Sequence, residues 1–253
     1  MKLYYIGTGA ADWTELAGPR DGIMRRFSAA ILDEQLLIDL APATPMSYFE
    51  KGGVGEEVAY ILYTHSHNDH YGSKALLNLC ENRKVTVVCH FTARLPEHPN
   101  LTSIQAKVGE EVQLGKYSVI PVRANHRVAQ CPEEQPMHYI ISDGVSKIFW
   151  GTDGAWLYCD TWQTLLKNAP YDRVVMDGTL GEDAGDWRIF EHNNLPMIRL
   201  MRDTMVKKHV LKPEGQIWLT HLARDAHESP MVMAEHVKED NLFVAFDDLE
   251  DNF

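Results

Sequence analysis

Four side chains of the kinds that bind metals are crowded into residues 65–70, and this crowding constrains the chain more than any other feature. The four are His65, His67, Asp69 and His70. The apolar run before them at 58–63 predicts a buried strand, and the run after them at 73–80 predicts a helix. In an extended loop, the side chains of two histidines two positions apart point to the same side of the backbone and can bind one cation. Asp69 and His70 lie just beyond and can reach a second cation, so the segment predicts a dinuclear metal site. Two such ions activate water and stabilise the oxygens of an ester or phosphodiester, which predicts a hydrolase.

The length and charge of the chain narrow its class. With 253 residues it can bury a large core, and we expect one α/β domain over 1–253. Acidic side chains outnumber basic ones by 36 to 24, for a net charge of −12, which repels a phosphate backbone at long range. Extended nucleic acid is therefore not an expected partner, whereas a small phosphodiester remains compatible.

Cysteine spacing and hydropathy indicate the compartment. The four cysteines, at 80, 89, 131 and 159, show no paired spacing typical of a disulfide framework or a zinc ribbon. The first apolar run passes at once into Gly7, too early for a signal sequence, and no later run is long enough to span a membrane. We therefore expect a cytoplasmic protein with no membrane partner.

Polar side chains recur where predicted strands end. Apolar runs at 117–123, 147–150, 173–177 and 216–220 predict strands, with hairpins over 27–39 and 137–150. Helices are predicted over 45–51, 161–168, 195–209 and 230–238. The potential ligands at or just beyond strand ends are His65, His126, Asp153, Asp177 and His221. A layered sheet would gather them at one rim, where α/β folds place their sites.

The six residues from His65 to His70 resemble the H-x-H-x-D-H signature of the metallo-β-lactamase superfamily. His126, Asp153 and His221 follow in the order that the superfamily uses. The resemblance implies an α/β fold, a four-layer αββα sandwich with two mixed sheets. It also implies two divalent metal ions, manganese or zinc and otherwise iron.

The same resemblance implies a role for each ligand residue. His65, His67 and His126 would bind the first ion, and Asp69, His70 and His221 the second, while Asp153 and a hydroxide would bridge them. Asp39 resembles the buried acid that orients a ligand histidine from behind. Asp69 would be indispensable for turnover.

Local matches indicate the phosphodiesterase branch of the superfamily, and most closely its phosphoribosyl cyclic phosphate phosphodiesterases of carbon–phosphorus lyase pathways. They lie at 7–10, 152–154, 176–178, 191–193, 219–221 and 245–250. The resemblance implies that His192 acts on the scissile phosphate, as a phosphate ligand or as the acid that assists the leaving oxygen. Expected substrate contacts are Arg25, Arg26, Ser28 and His138, with His227 as a further pocket residue.

The sequence departs from that branch in ways that leave alternative functions open. Residues 11–30 contain no cysteine for the structural zinc of the cyclic phosphodiesterases, and the stretch between Asp153 and His192 is short and acidic, which disfavours processing of tRNA 3′ ends. A lactonase or thioesterase could use the same ions, and a binding protein with a silent metal site is a further alternative. Irregular segments at 12–26, 157–160 and 180–188 would select the substrate, and a homodimer is compatible with the sequence.

Overall fold

A computed structural model of the chain describes residues 1–182, 185–226 and 228–253, and two seven-stranded sheets lie within these ranges. The strands of the first sheet are β1 (Lys2–Gly7), β2 (Ala29–Leu32), β3 (Leu36–Ile38), β4 (Tyr60–Leu62), β5 (Val85–Cys89), β6 (Leu101–Gln105) and β14 (Leu249–Asn252). Their order is β14-β1-β2-β3-β4-β5-β6. Strands β14 to β3 pair antiparallel and β3 to β6 pair parallel, so the sheet is mixed.

The second sheet repeats this division. Its strands are β7 (Val112–Leu114), β8 (Tyr117–Arg123), β9 (Met137–Ser142), β10 (Lys147–Gly151), β11 (Tyr171–Asp177), β12 (Leu211–Thr220) and β13 (Leu242–Val244). They follow the order β13-β12-β11-β10-β9-β8-β7. The pairs from β7 to β10 are antiparallel and those from β10 to β13 are parallel.

Four helices flank the sheets in the described residues. They are α1 (Ser73–Glu81), α2 (Cys159–Asn168), α3 (Leu195–Lys207) and α4 (Pro230–His236), and short 3₁₀ turns cover Met46–Phe49, Thr92–Arg94, Trp187–Phe190 and Val237–Asp240. Asn194 caps α3 by accepting a hydrogen bond from the Met197 backbone N–H, and Ser229 caps α4 in the same way.

The alternation of side chains along each strand builds the layers. Leu36 and Ile38 of β3 pack into the core between the two sheets, while Leu37 points to the opposite face and packs with Leu76 of α1. On the second sheet, Val174 packs outward with Ile198 of α3. Because both faces of each sheet are buried, helices lie on the two outer faces. The expected four-layer αββα sandwich with two mixed sheets is confirmed.

One local prediction was wrong, and two strands were missed. The helix predicted over 45–51 is a single 3₁₀ turn, Met46–Phe49. Strands β6 and β14 were not predicted, because their exposed polar side chains give no clear apolar alternation. The single-domain assignment stays a prediction.

Candidate metal centre

The predicted ligands lie on loops at one edge of the sandwich. His65 follows β4, Asp153 follows β10, and His221 directly follows β12. β8, which precedes His126, and β10 both run antiparallel to β9, so their carboxyl ends share one edge of the second sheet. The topology therefore brings together residues that lie more than 150 positions apart.

The first group of potential ligands consists of His65, His67, His126 and Asp153. His65 Nε2 lies 2.9 Å from His67 Nδ1, and His67 Nδ1 lies 3.2 Å from His126 Nε2. Asp153 Oδ2 is 3.2 Å from His65 Nε2. All four potential donor atoms lie within 4.8 Å of one another, a spacing that one cation could span.

The second group consists of Asp69, His70, Asp153 and His221, and all four are buried. The Nε2 atoms of His70 and His221 face each other at 3.3 Å. Asp69 Oδ2 is 3.3 Å from His70 Nε2 and 3.4 Å from His221 Nε2. Asp153 Oδ2 lies 3.1 Å from His70 Nε2, so Asp153 belongs to both groups, as a bridging carboxylate would.

The pKa values of the histidines shift in opposite directions in the two ligand groups. Burial lowers the pKa of His65 and of His67, and neighbouring histidines lower both further, which leaves neutral imidazoles. Burial alone would raise the pKa of Asp153, but the surrounding histidines outweigh it and hold that pKa well below its ordinary value. At the second group, burial is outweighed: Asp69 and Asp39 raise the pKa of His70, and Asp153 raises that of His221, so a cation there would displace protons from both rings. Neutral imidazoles and ionised carboxylates are the forms that ligate metals, and the residue types fit two divalent cations.

Hydrogen bonds behind the ligands fix which ring nitrogen faces the cluster. Asp39 Oδ2 lies 2.8 Å from His70 Nδ1 and accepts a hydrogen bond of 2.8 Å from the Thr64 hydroxyl. The Thr64 oxygen in turn lies 3.0 Å from His65 Nδ1. Since the Thr64 hydroxyl hydrogen is donated to Asp39, we assign the Nδ1–H of His65 as donor to the Thr64 oxygen. In their neutral forms, His65 and His70 therefore both carry the hydrogen on Nδ1 and leave Nε2 bare.

Thr179 orients His221 by the same logic. Its hydroxyl donates to the His221 backbone carbonyl at 2.7 Å, and its oxygen lies 2.9 Å from His221 Nδ1. In its neutral form, His221 therefore carries its hydrogen on Nδ1 and directs a bare Nε2 at the second group. No pattern in the sequence pointed to Thr179.

Backbone strain coincides with this cluster. Asp39, Asp153 and His221 adopt left-handed φ angles of 60°, 53° and 57°. Residues with a Cβ pay about 1–2 kcal/mol for that conformation, which tends to persist where function requires it. The strain places each side chain directly at the edge where its strand ends.

A third group, Asp153, Asp177, His192 and His221, also brings its donor atoms within 4.8 Å. The oxygens of Asp177 are occupied, however. Oδ1 accepts from the backbone N–H groups of Thr179 and Asn193, and Oδ2 lies 3.0 Å from His192 Nδ1. Asp177 is thus better suited to holding His192 than to ligating a cation. The only sign in the sequence that Asp177 belongs to the site was its position at the end of a strand.

His192 lies in the cluster rather than on the outer surface. Its Nδ1 is 3.2 Å from Asp153 Oδ1, and its side chain is 15% exposed. Burial would lower the pKa of His192, but Asp177 and Asp153 outweigh burial and raise it to about 9. The 3₁₀ turn Trp187–Phe190 precedes it and leads the chain back to the site.

Glu134 is a further residue that the sequence did not reveal. Its carboxylate is buried, accepts hydrogen bonds from the Ser66 backbone N–H at 2.7 Å and from the Ser66 hydroxyl at 2.5 Å, and pairs with Arg94 at 3.1 Å. Ser66 lies between two ligand histidines, so Glu134 fixes the loop that carries them. Nothing in the surrounding sequence distinguishes it from its neighbour Glu133.

The residues expected to contact substrate are buried or bonded to other parts of the chain. Arg25 is 1% exposed and donates to the Thr8 hydroxyl and the Ala245 carbonyl. Arg26 donates to the Ile6 carbonyl and forms an ion pair of 2.6 Å with Asp248. Ser28 and His138 are fully buried as well. Their contact with a substrate stays a prediction, and His227 lies outside the described residues.

The fold and the cluster together define a metal-binding αββα sandwich of the lactamase type. The family model described as "Beta-lactamase superfamily domain" matches residues 36–222, and the chain belongs to this superfamily.

Individual comparisons give one partial relative in sequence and two similar folds. A UPF0173 metal-dependent hydrolase of Thermofilum pendens is 31% identical over 125 residues, which are 49% of this chain and 50% of the relative. The match therefore spans only half of that protein. Zn²⁺-bound PqqB of Methylobacterium extorquens superimposes with a TM-score of 0.76 at 16% identity, covering 100% of both chains. YhfI of Bacillus subtilis, a metallo-β-lactamase fold protein, gives 0.73 at 14% identity over 98% of both chains.

Among the described residues, the helices are too short or too polar to cross a membrane.

Proposed function

We propose that this protein is a dinuclear metal-dependent hydrolase that cleaves a small phosphodiester, with cyclic diesters included in the class. The observation that carries the proposal is the position of Asp153, whose Oδ2 lies 3.2 Å from His65 Nε2 and 3.1 Å from His70 Nε2. A single carboxylate between two ligand groups is suited to holding two cations close together.

The residues would divide as follows. His65, His67 and His126 would hold one ion, Asp69, His70 and His221 the other, and Asp153 would contact both; manganese and zinc both suit this set. When bound, the two ions supply Lewis acidity and a nucleophile made from water at neutral pH.

His192 supports a phosphodiester in preference to a carbon ester. Its Nδ1 is held by Asp177 at 3.0 Å, so the ring is fixed and its other nitrogen can serve the substrate. In hydrolysis a water oxygen bonds to phosphorus while the phosphorus–oxygen bond to the leaving alcohol breaks. The proton that the alcohol gains would come from His192, consistent with general acid catalysis.

The experiment is hydrolysis of bis(p-nitrophenyl) phosphate by protein loaded with Mn²⁺ or Zn²⁺, alongside a panel of lactones and thioesters. We expect metal-dependent release of p-nitrophenol that is lost in Asp69→Asn and after chelation. Asp203→Asn is the matched control, because Asp203 is an exposed carboxylate that pairs only with the neighbouring Arg202 in the ion pairs of the described residues.

Metal content, measured on the same samples, separates loss of binding from loss of turnover. Turnover of lactones or thioesters by a metal-loaded protein that leaves the diester intact would replace the phosphodiesterase with a carbon-ester hydrolase. If Asp69→Asn hydrolysed the diester at the wild-type rate, the second ligand group would not be required for catalysis.

A further inference from the structure

A cavity of about 440 Å³ lies beside the loops that carry His126 and Asp153, and three of its eight lining residues are aromatic. Trp156, Tyr158 and Trp162 line it, together with the apolar Leu157 and Met201. Its volume lies within the range of about 300–1,000 Å³ that is typical of small-molecule sites. Three of these residues belong to the irregular segment at 156–158, and none of the five is a predicted metal ligand.

The cavity is continuous with the ligand loops. Asn125 lines it and directly precedes His126. Trp156 comes three residues after Asp153, and since each trans peptide step spans about 3.8 Å, their Cα atoms are at most about 11.4 Å apart. The Asn125 side chain donates to the Trp156 carbonyl at 3.0 Å, which ties the two loops together. The cavity is therefore lined by residues of the two loops that also carry His126 and Asp153.

The chemistry of the lining favours a neutral, planar ring with polar edges. No lining residue that the structure describes carries a formal charge. Aromatic side chains offer faces on which a planar ring can stack. Asn125 and Thr204 add amide and hydroxyl groups, which can form hydrogen bonds to ring nitrogens or carbonyls. An alkyl chain would leave those polar groups without partners. One face of Tyr158 is covered by the guanidinium of Arg123, 4.5 Å from the ring centroid, and that charge is paired with Asp160 at 3.3 Å, so the two tryptophans offer the freer faces for stacking.

We infer that this cavity is a subsite for the heteroaromatic base of a nucleoside whose phosphodiester lies at the metal centre. The inference rests on the proposed function, which it deepens by naming the substrate class. Trp156 is the residue that tests it best, because it is 46% exposed and its removal leaves the core intact. Truncation of its side chain also keeps the backbone carbonyl that Asn125 binds.

The first measurement is the affinity of wild type, Trp156→Ala and Val145→Ala for free thymidine, measured by saturation-transfer NMR. Val145 is the control, since it is 83% exposed and does not line the cavity. We expect thymidine to bind wild type and Val145→Ala alike and Trp156→Ala about 10-fold more weakly, as for loss of one base–aromatic stack. Equal binding to Trp156→Ala, or none to wild type, would overturn the subsite.

The second measurement compares two diesters with the same leaving group, thymidine 5′-(p-nitrophenyl phosphate) and ethyl p-nitrophenyl phosphate. We expect wild type to favour the nucleoside ester by about 10-fold or more in kcat/KM, and Trp156→Ala to lose that preference without losing turnover of the ethyl ester. Equal kcat/KM for the two esters in wild type would refute the substrate class. Thymidine binding that depends on Trp156, with neither ester turned over, would instead refute the phosphodiesterase and leave the subsite standing.

Discussion

Asp39 supports both ligand groups, directly through His70 and indirectly through His65. Its Oδ2 lies 2.8 Å from His70 Nδ1 and accepts a hydrogen bond from the Thr64 hydroxyl, whose oxygen lies 3.0 Å from His65 Nδ1. One buried carboxylate thus sets the orientation of two imidazoles that face different parts of the cluster.

Asp39→Asn should therefore weaken the binding of both cations. Loss of such an outer partner typically costs about 10–100-fold in metal affinity. Competition with a chromophoric chelator would measure the affinity of each site, and Asp203→Asn is the control. Loss at the second site alone would show that the link through Thr64 to His65 is dispensable.

Glu134→Ala should disorder the loop that carries His65 and His67. The variant leaves the Ser66 N–H and hydroxyl without their acceptor, at a cost of about 1–3 kcal/mol in the free energy of unfolding. Glu134→Gln keeps an acceptor and should lose less, and Glu133→Ala, at the exposed neighbouring position, should lose nothing. Urea unfolding and chelator competition would report stability and metal affinity. Equal effects of the two alanine variants would contradict a specific role for Glu134.

His192→Asn should slow hydrolysis in a manner that depends on the leaving group. A general acid contributes about 10²–10⁴-fold where the leaving oxygen needs a proton, and far less where the leaving alcohol is an acidic phenol. We expect a large loss of kcat for diesters with alkyl leaving groups and a small loss for p-nitrophenyl esters. A uniform loss across both series would make His192 a phosphate ligand and not the acid.

Asp33 should make the stability of the fold depend on pH in the acid range. Burial would raise its pKa, but hydrogen bonds from Lys116, the Lys2 backbone and Tyr117 outweigh burial and lower it. The folded pKa is therefore below the unfolded value of about 3.9, so the stabilisation is complete above that pH and disappears as pH falls through the folded pKa.

Asp33→Asn should accordingly lower the urea midpoint at pH 7, and its deficit relative to wild type should shrink below about pH 4. Taking the difference between the two proteins cancels the protonation of the ligand histidines, which is common to both. A deficit that stays constant from pH 7 to pH 3 would mean that the effect is steric and not electrostatic.

The sequence by itself determined the metal-binding loop and the class of fold. Six consecutive positions contain four potential ligands, His65, His67, Asp69 and His70. Their proximity is therefore a local property that their spacing in the sequence reveals. The sequence also predicted His126, Asp153 and His221 as ligands. Each follows an apolar run, and the end of that run sets where the strand stops. The helix predicted over 45–51 failed since a run that short depends on its packing partners.

Only the tertiary structure decided which other residues serve the site. Glu134 is 68 positions from Ser66, and Thr179 is 42 positions from His221, so no local pattern connects them. Strands β6 and β14 likewise exist because a neighbouring strand supplies their hydrogen bonds, and the aromatic cavity forms where 156–162 meets α3. Contacts made across the sandwich depend on the whole chain, whereas the ligand motif is fixed by a few peptide bonds.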